Sequence, residues 1–338
     1  MRLGIAYDTQ DMYNLGTDSS LYCDFDDIET ITTLKHILAS IGYQTVMLGN
    51  TEHVAQLIQN GQFQCDLVFN LVEGVKSRNR EGLLPALLEI YNIPYIGTDA
   101  FGLSLTLNKA LTKMLAERLG ILTPKFFTVA PDCPVESIRE LLGAMSMPVI
   151  IKPNIEGNSS GISVEQTVAK AIEKISYTLE QYKTAILCEE FIFGQEITVP
   201  FIGNKPFDMI WGITGVDIQR NDEFWLTSEM KMLGDYNNII LNLPKTTEEA
   251  FQRISTKLFF EIGCRDFARF DYRLTKSGDI YFIEVNPLPS LFAGGSFDIV
   301  GEQYGYTFAE TVGHIVEAAC KRMSIPKIEI LPRTNDDH

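Results

Sequence analysis

Ala268-Arg269-Phe270-Asp271-Tyr272, the turn Lys276-Ser277-Gly278-Asp279, and Tyr281-Phe282-Ile283-Glu284-Val285-Asn286-Pro287 form the stretch that decides the fold. Apolar and polar residues alternate with period two in each half, which predicts two strands, and the turn between them predicts a hairpin. Arg269 and Asp271 then share one face of the first strand, and Glu284 and Asn286 one face of the second. Two carboxylates and an amide oxygen beside an arginine make an oxygen-rich site for a hard divalent cation. Magnesium held this way keeps waters and bridges substrate phosphates. The competing reading is a surface hairpin with an incidental ion pair.

The 338 residues are too many for one small core, so two or three domains are expected. Hydrophobic content of 45% and charged content of 21% are those of an ordinary soluble globular protein. No stretch has the apolar length of a membrane span. The opening Arg2-Leu3-Gly4-Ile5-Ala6-Tyr7 lacks the charged region and apolar core of a signal peptide, so a cytoplasmic location is expected. Six scattered cysteines without a CxxC pair read as free thiols, and four scattered histidines offer no metal-ligand spacing. The net charge of −16 argues against nucleic acid or an anionic membrane as partner. It leaves room for a phosphate ligand, because local lysines can outweigh the mean field inside a cleft.

The first segment alternates strand and helix: Leu3 to Tyr7, a helix over Asp27 to Ile41, Gln44 to Leu48, a short helix over Val54 to Gln59, and Asp66 to Asn70. That alternation predicts a parallel sheet covered on both faces. The polar stretch Asp8 to Asp26 is long for a loop at a strand's carboxyl end and reads equally as functional or as plain surface. A helix over Gly82 to Tyr91 and the run Ile93-Pro94-Tyr95-Ile96-Gly97 close the first unit. One helix is expected over Leu103 to Leu119, a smaller α/β unit starts near Pro124, and a strand-rich segment starts near Leu187. A last helix is expected around Thr307 to Met323.

Pro148 to Ile151 is an apolar strand that delivers Lys152. After it, Glu156-Gly157-Asn158-Ser159-Ser160-Gly161 can donate amides and hydroxyls to phosphate oxygens, glycine allowing close approach. The GK[ST] ending of a Walker loop is missing, and a plain hairpin turn accounts for the stretch equally well. Leu187-Cys188-Glu189-Glu190-Phe191-Ile192, with Gly194-Gln195-Glu196, can offer carboxylates and backbone amides to a purine and to ribose hydroxyls, or can be solvated acids at a strand end. Lys231 precedes a Gly234-Asp235-Tyr236-Asn237-Asn238 loop. It can close over a terminal phosphate or be an ordinary surface lysine.

Lys109, Lys152, the Gly/Ser loop, Glu189 to Glu196, Lys231, Arg269, Asp271, Glu284 and Asn286 follow the order and approximate spacing of the ATP-grasp ligases. Within them the chain most resembles the D-alanine–D-alanine ligases, from about Leu67 to Glu310. The specific matches are Ile93-Pro94-Tyr95-Ile96-Gly97-Thr98, Asn108-Lys109-x-x-x-Lys113, Gly263-Cys264-Arg265 with Ala268-Arg269, and Glu284-Val285-Asn286-x-Leu288-Pro289. The resemblance implies an α/β protein, α+β in its ATP-grasp part, with an N-terminal parallel-sheet domain. Its expected units are residues 1–98, a small ATP-grasp subdomain 99–187, a large subdomain 188–330 and a tail 331–338. It implies ATP bound by Lys109, Lys152, Gly157, Asn158, Ser159, Ser160, Glu189, Glu190, Ile192 and Glu196. Glu189 and the backbone at Glu190 and Ile192 would read the adenine, and Glu196 the ribose. Asp271, Glu284 and Asn286 would hold two magnesium (or manganese) ions. Lys231 would close over the γ-phosphate, and Arg269 would stabilise the acyl-phosphate and the tetrahedral intermediate.

The chain departs from that family where the first substrate binds. Tyr7-Asp8-Thr9-Gln10-Asp11 stands in place of a glycine-rich loop with a Ser-x-Glu pattern, whose glutamate anchors an ammonium. Glu73-Gly74 replaces His-Gly, Asn79-Arg80-Glu81-Gly82 replaces Gly-Glu-Asp-Gly, Asn158 replaces a serine, and Ser290 replaces a glycine. Arg78 and Arg80 therefore predict a donor with an anionic group, since arginine's fork matches a carboxylate. The plainer reading makes them solvated loop residues paired with Glu81. Glu73, Arg78, Arg80, Ser290, Gly295 and Ser296 are the expected substrate contacts. The reaction expected is ATP-dependent joining of a carboxylate to an amino acid through an acyl-phosphate, by a specialised amino-acid or peptide ligase. The alternatives are a cell-wall D-alanine–D-alanine ligase and a non-catalytic ATP-binding regulatory module. Related ligases are commonly dimers, so a homodimer is the expected assembly.

Overall fold

The structure is a computed structural model and describes residues 1–13, 25–75, 77–155, 157, 161–218 and 236–326. The expectations attached to Asn158, Ser159, Ser160, Lys231 and the 331–338 tail lie outside those residues, as does most of the Asp8 to Asp26 stretch. Among the described residues no helix is long and apolar enough to cross a membrane.

The first unit alternates as its pattern predicts: β1 (Arg2–Tyr7), α1 (Ile28–Ser40), β2 (Gln44–Gly49), α2 (Thr51–Gln59), β3 (Leu67–Leu71), α3 (Leu83–Ile90) and β4 (Tyr95–Ile96). Its strands form a parallel sheet in the order β2-β1-β3-β4. Asp27 and Asn50 cap α1 and α2 by accepting from the Thr30 and His53 amides, which fixes where each helix starts.

Two helices, α4 (Ala100–Leu107) and α5 (Lys109–Arg118), replace the single one expected over Leu103 to Leu119. Asn108 makes the break. Its ψ of 94° is extended, and its side chain accepts from the Leu111 amide as an N-cap. Asn154, just past Lys152, takes up the neighbouring donors: its carbonyl accepts from the Lys109 amide and its side-chain oxygen from the Ala110 amide. Lys109 therefore sits in the first turn of α5, tied to the strand that carries Lys152.

The small sheet comes from β5 (Phe126–Val129), α6 (Val135–Gly143), β6 (Val149–Pro153), β7 (Ser163–Glu165), α7 (Val168–Tyr182) and β8 (Ile186–Glu190). It is antiparallel in the order β5-β8-β6-β7, with Val129, Ile138, Leu142, Ile151, Ala171, Ile175 and Ile186 as its core. A boundary between residues 187 and 188 would cut β8 in two. β8 pairs on both sides within this sheet, so the chain leaves it after Glu190.

The large sheet comes from β9 (Gln195–Ile202), β10 (Ile210–Trp211), β11 (Thr214–Ile218), β12 (Tyr236–Ile240), α8 (Lys245–Ile262), β13 (Phe267–Leu274) and β14 (Ile280–Asn286). Helices α9 (Ser296–Gln303) and α10 (Phe308–Met323) follow. Its antiparallel order is β12-β11-β9-β13-β14, with β10 against β9. Phe201, Phe251, Phe259, Phe270, Tyr272 and Phe282 fill its core together with Ala116 of α5 and Ile121. So α5, expected with the small subdomain, packs on the large sheet.

Helix α10 likewise crosses an expected boundary. Its Val312, Ile315, Val316 and Ala319 pack on Leu3, Ile5, Leu34 and Leu38, which completes the core of the N-terminal sheet. Buried Asp266 adds a polar tie. It accepts from the Gly97 amide (2.9 Å), Asn204 Nδ2 (2.8 Å), and Arg322 Nε (2.9 Å) and Nη2 (2.6 Å). The N-terminal unit and the hairpin beginning one residue later are thereby held in fixed relation.

Candidate active site

The β13–β14 hairpin forms as its alternation predicts. Arg269 lies opposite Asn286 and Asp271 opposite Glu284, with Phe270, Tyr272, Phe282 and Val285 buried on the other face. The register slips after Asp271, so Tyr272 pairs with Phe282 and Ile283 is left without a partner opposite it. This bulge turns Ile283 and Glu284 together into the cleft they both line. Asp271 accepts from Arg269 Nε (3.1 Å) and Nη2 (2.9 Å), Thr198 Oγ1 (3.0 Å) and Asn286 Nδ2 (2.9 Å). Glu284 lies 3.7 Å from Lys109 Nζ. Two carboxylates and an amide thus converge, each balanced by a cation or a donor.

Behind them is a buried ionic triad. Glu189 receives Lys152 Nζ at 2.6 Å and Lys113 Nζ at 2.8 Å, and both Glu189 and Lys113 are 0% exposed. Lys113 also donates to Thr123 Oγ1 (3.0 Å), and Thr123 donates to the Phe282 carbonyl (2.9 Å), so the triad is anchored to the hairpin. Burial works against the Glu189 charge, but the two ammonium groups outweigh it and hold the carboxyl below the usual carboxylate range. Burial lowers Lys113 despite its partner. Burial also opposes the Lys152 charge, yet Glu189, Glu284 and Asp271 hold that group above the ordinary lysine value. The triad thus places one carboxylate between two lysines in a single buried unit.

A cavity of about 250 Å³ runs between the small and large sheets. Ile150, Lys152 and Ile162 line it from the small sheet and the loop beyond β6, Glu190, Ile192 and Glu196 from the end of β8, the connection between the sheets and the start of β9, and Asp271, Arg273 and Glu284 from the hairpin. Its lining mixes Ile150, Ile162, Ile192, Ile197 and Ile283 with charged side chains, which suits a flat base beside a charged tail. Glu196 is held by Arg273 Nη2 at 3.1 Å. Two of the expected adenine contacts change here. The Glu190 amide donates to the Lys125 carbonyl as part of the sheet and is not free for a base. The Glu189 side chain is committed to its two lysines, so it positions cations rather than standing open to a ligand.

A second, smaller cavity of about 80 Å³ adjoins Arg269, Glu284, Asn286 and Ser290, and is also lined by Lys109, Gly157, Glu73 and Glu81. Asp8, at the end of β1, accepts from the Glu73 amide (3.2 Å), the Gly74 amide (2.7 Å) and the Tyr13 hydroxyl (3.0 Å), which fixes the turn carrying Glu73. Burial pushes the Asp8 carboxyl up to about 6, against the pull of the two amides, Tyr13 and Arg80, so it is mainly ionised at neutral pH. Gly74 has φ +69°, and a Cβ there would come within 2.9 Å of the Arg80 carbonyl oxygen.

The arginines expected to meet the donor are not where that reading put them. Arg80 is buried outside this cavity's lining. Its Nη1 donates to the Ile155 carbonyl at 2.7 Å, and its Nη2 lies 3.9 Å from Glu81. Arg78 is exposed. An arginine in place of an acid suggested an anion site, but a long side chain can reach main chain instead, and here it does. Ser290 lines both cavities and donates to Asp26 at 2.8 Å, Ser296 lines the larger one, and Gly295 is the N-cap of α9 outside both linings. Lys113, Thr198 and Arg273 join the site without having been expected there. Lys113 is four residues beyond Lys109 on one helix face, and Arg273 continues the period-two series Arg269, Asp271, so both signals were present in the sequence.

A family model described as D-ala D-ala ligase C-terminus matches residues 115–317. The D-alanine–D-alanine ligase of Xanthomonas axonopodis pv. citri is 27% identical over 255 residues, 75% of this chain and 78% of that protein. The structure of a D-alanine–D-alanine ligase from Bacillus anthracis complexed with ATP superposes with a TM-score of 0.72 at 18% identity, covering 97% of this chain and 100% of that one. The VanG D-Ala:D-Ser ligase from Enterococcus faecalis gives a TM-score of 0.72 at 17% identity, covering 94% and 99%. At such identities the superpositions speak to the fold.

Proposed function

We infer the reaction from one premise: the chain belongs to the D-ala D-ala ligase family, whose model spans residues 115–317. It is an ATP-grasp enzyme, an ATP-dependent ligase that joins a carboxylate to an amine. The residue roles that follow are our reading of the site. ATP lies in the larger cavity with its base between Ile150, Ile192 and their apolar neighbours, and its phosphates point toward Lys152 and Lys109. Glu189 holds Lys152 and Lys113 in place, and Glu196 meets the ribose. Asp271, Glu284 and Asn286 are hard oxygen donors on one face of one hairpin, a set that fits magnesium or manganese; Asn286 would turn its amide oxygen inward, giving up its bond to Asp271. A bound divalent cation would neutralise phosphate charge and orient the polyphosphate.

In the reaction, a carboxylate oxygen of the donor attacks the γ-phosphorus, ADP leaves, and an acyl-phosphate forms. The acceptor amine then attacks the acyl carbon, phosphate departs, and the amine gives up a proton as the amide forms. Arg269 faces the oxygens on which negative charge concentrates in both steps, and the protein contributes mainly positioning and electrostatics. The observation that carries this reading is the convergence of Arg269, Asp271, Glu284 and Asn286 with Lys109 and Lys152 around one cleft. A specialised amino-acid ligase is the form we favour, because Glu73-Gly74, Asn79 to Gly82 and Ser290 depart from the family at the donor end. D-alanine dimer formation is the second reading, favoured by the names of the relatives. Buried free thiols at Cys188, Cys264 and Cys320 suit a cytoplasmic setting, and a homodimer is taken from the resemblance. Phosphate release should require ATP, a divalent metal, a carboxylate and an amine together, and mass spectrometry should find the amide. ATP hydrolysis indifferent to both organic substrates would contradict the assignment.

A further inference from the structure

Arg273 continues the face of β13 that carries Arg269 and Asp271, about 13 Å from Arg269 at the rise of an extended strand. It is 7% exposed, and its guanidinium fastens one turn at three points. Nη1 donates to the Gly194 carbonyl (3.0 Å) and Nη2 to Glu196 (3.1 Å), the residue opposite Arg273 in the register of β13 with β9. Its Cζ lies 5.5 Å from the centre of the Phe191 ring, within cation–π range. The connection between the small and large sheets is thereby tied to β13 at both of its ends. Gly194 makes the approach possible, since a Cβ there would collide with the Leu274 carbonyl oxygen. Ile192, Glu196 and Arg273 all line the larger cavity, so this fastening borders the space assigned to the nucleotide.

We propose that Arg273 is a positioning residue for the nucleotide: it holds Glu196 and the turn from Phe191 to Gly194 in the arrangement that grips the ribose, and so sets the preference for a ribonucleotide over a deoxyribonucleotide. This role rests on the ligase reading above, in which Glu196 meets the ribose. The Glu196 side chain is 32% exposed, and a glutamate in that setting samples several rotamers unless a partner fixes it. Ordering it in advance removes an entropy cost from each bond it makes to a sugar hydroxyl. A carboxylate offers about four acceptor sites, so a bond from Arg273 and a bond from a hydroxyl are compatible. An ammonium lacks the planar fork that meets Gly194 and Glu196 together while lying over Phe191.

The test compares ADP, 2′-deoxy-ADP and 3′-deoxy-ADP by calorimetry with magnesium and the full-length protein. Wild type should bind ADP about tenfold or more tightly than at least one deoxy analogue, the scale of a hydrogen bond to a charged group. Arg273→Met should bring that ratio to within about twofold of one, because the carboxylate is no longer ordered. Losing a positive charge near a polyanion weakens all three nucleotides alike, so the ratio reads positioning rather than net charge. Arg273→Lys keeps the charge and should fall between the two, and it carries the test if the methionine variant does not fold. In a Glu196→Gln background Arg273→Met should change the ratio no further. A wild-type ratio near one, a ratio unchanged in Arg273→Met or in Arg273→Lys, or an equal drop with and without Glu196 would overturn the proposal. Amide formation with ATP separates this from the ligase reading. An amide formed while Arg273→Met keeps the ribose preference removes the positioning role and keeps the ligase. An Arg273-dependent preference with no amide from any pair of substrates keeps the positioning role and removes the ligase.

Discussion

Glu284→Gln is expected to lower ligase turnover by about 10³-fold or more while leaving the fold intact. The substitution keeps the shape of the side chain and removes the charge that lies opposite Asp271 in the hairpin register and 3.7 Å from Lys109. A divalent cation bridging polyphosphate is worth several kcal/mol of charge stabilisation, and about 4 kcal/mol corresponds to that loss in rate. Lys109 also loses a neighbouring carboxylate, which biases the cation site further against a metal. The measurement is phosphate release at saturating ATP over a range of magnesium, with circular dichroism melting as the control for folding. Wild-type turnover at ordinary magnesium would take Glu284 out of the metal site.

The second large effect is on stability. Glu189→Gln leaves Lys113 and Lys152 buried around a neutral amide, and removing one member of a buried ionic group typically costs about 3–5 kcal/mol. The sign of the pH dependence follows from Lys113, whose pKa burial already lowers. A lysine with a depressed folded-state pKa binds fewer protons folded than unfolded, so its penalty is full below that value and shrinks as pH rises through it toward the unfolded value. Urea denaturation should therefore show the variant far less stable near neutral pH and closer to wild type in alkaline buffer. A loss under about 1 kcal/mol, the scale of an exposed ion pair, would mean that the triad is not the desolvated unit described here. Because Glu189 also orients Lys152, ATP affinity should fall in the same variant.

The parts of this architecture governed by local periodicity were legible in the sequence. Alternation in Ala268 to Tyr272 and in Tyr281 to Asn286, with Gly278 in the turn, was enough to place the hairpin and the shared face of its four polar residues. The β-α alternation before residue 98 likewise announced a parallel sheet. Features set by distant partners were not. Helical periodicity runs unbroken through Leu107-Asn108-Lys109, and the break depends on Asn154, which takes up the amides of Lys109 and Ala110. The apolar run of β8 reads the same whichever sheet it joins, and only pairing with β5 and β6 assigns it. Nothing local in α10 tells that its apolar stripe covers β1. At the site, the identity of Arg80 was informative about a change from the family but silent about where a flexible guanidinium ends up, and the Ile155 carbonyl settles that. Glu73, by contrast, was visible as a substitution, while the constraint on its backbone comes from Asp8, whose carboxylate accepts from its amide across sixty-five residues of sequence.

The central claim is that this cleft activates a carboxylate by phosphorylation before an amine displaces phosphate. The direct measurement is isotope transfer, with both carboxyl oxygens of the donor labelled with oxygen-18 and the products of one turnover with ATP, magnesium and an amine acceptor read by mass spectrometry. The account predicts one labelled oxygen in inorganic phosphate, one retained in the amide, and none in ADP. Label found in AMP, or phosphate free of label while the amide forms, would contradict it.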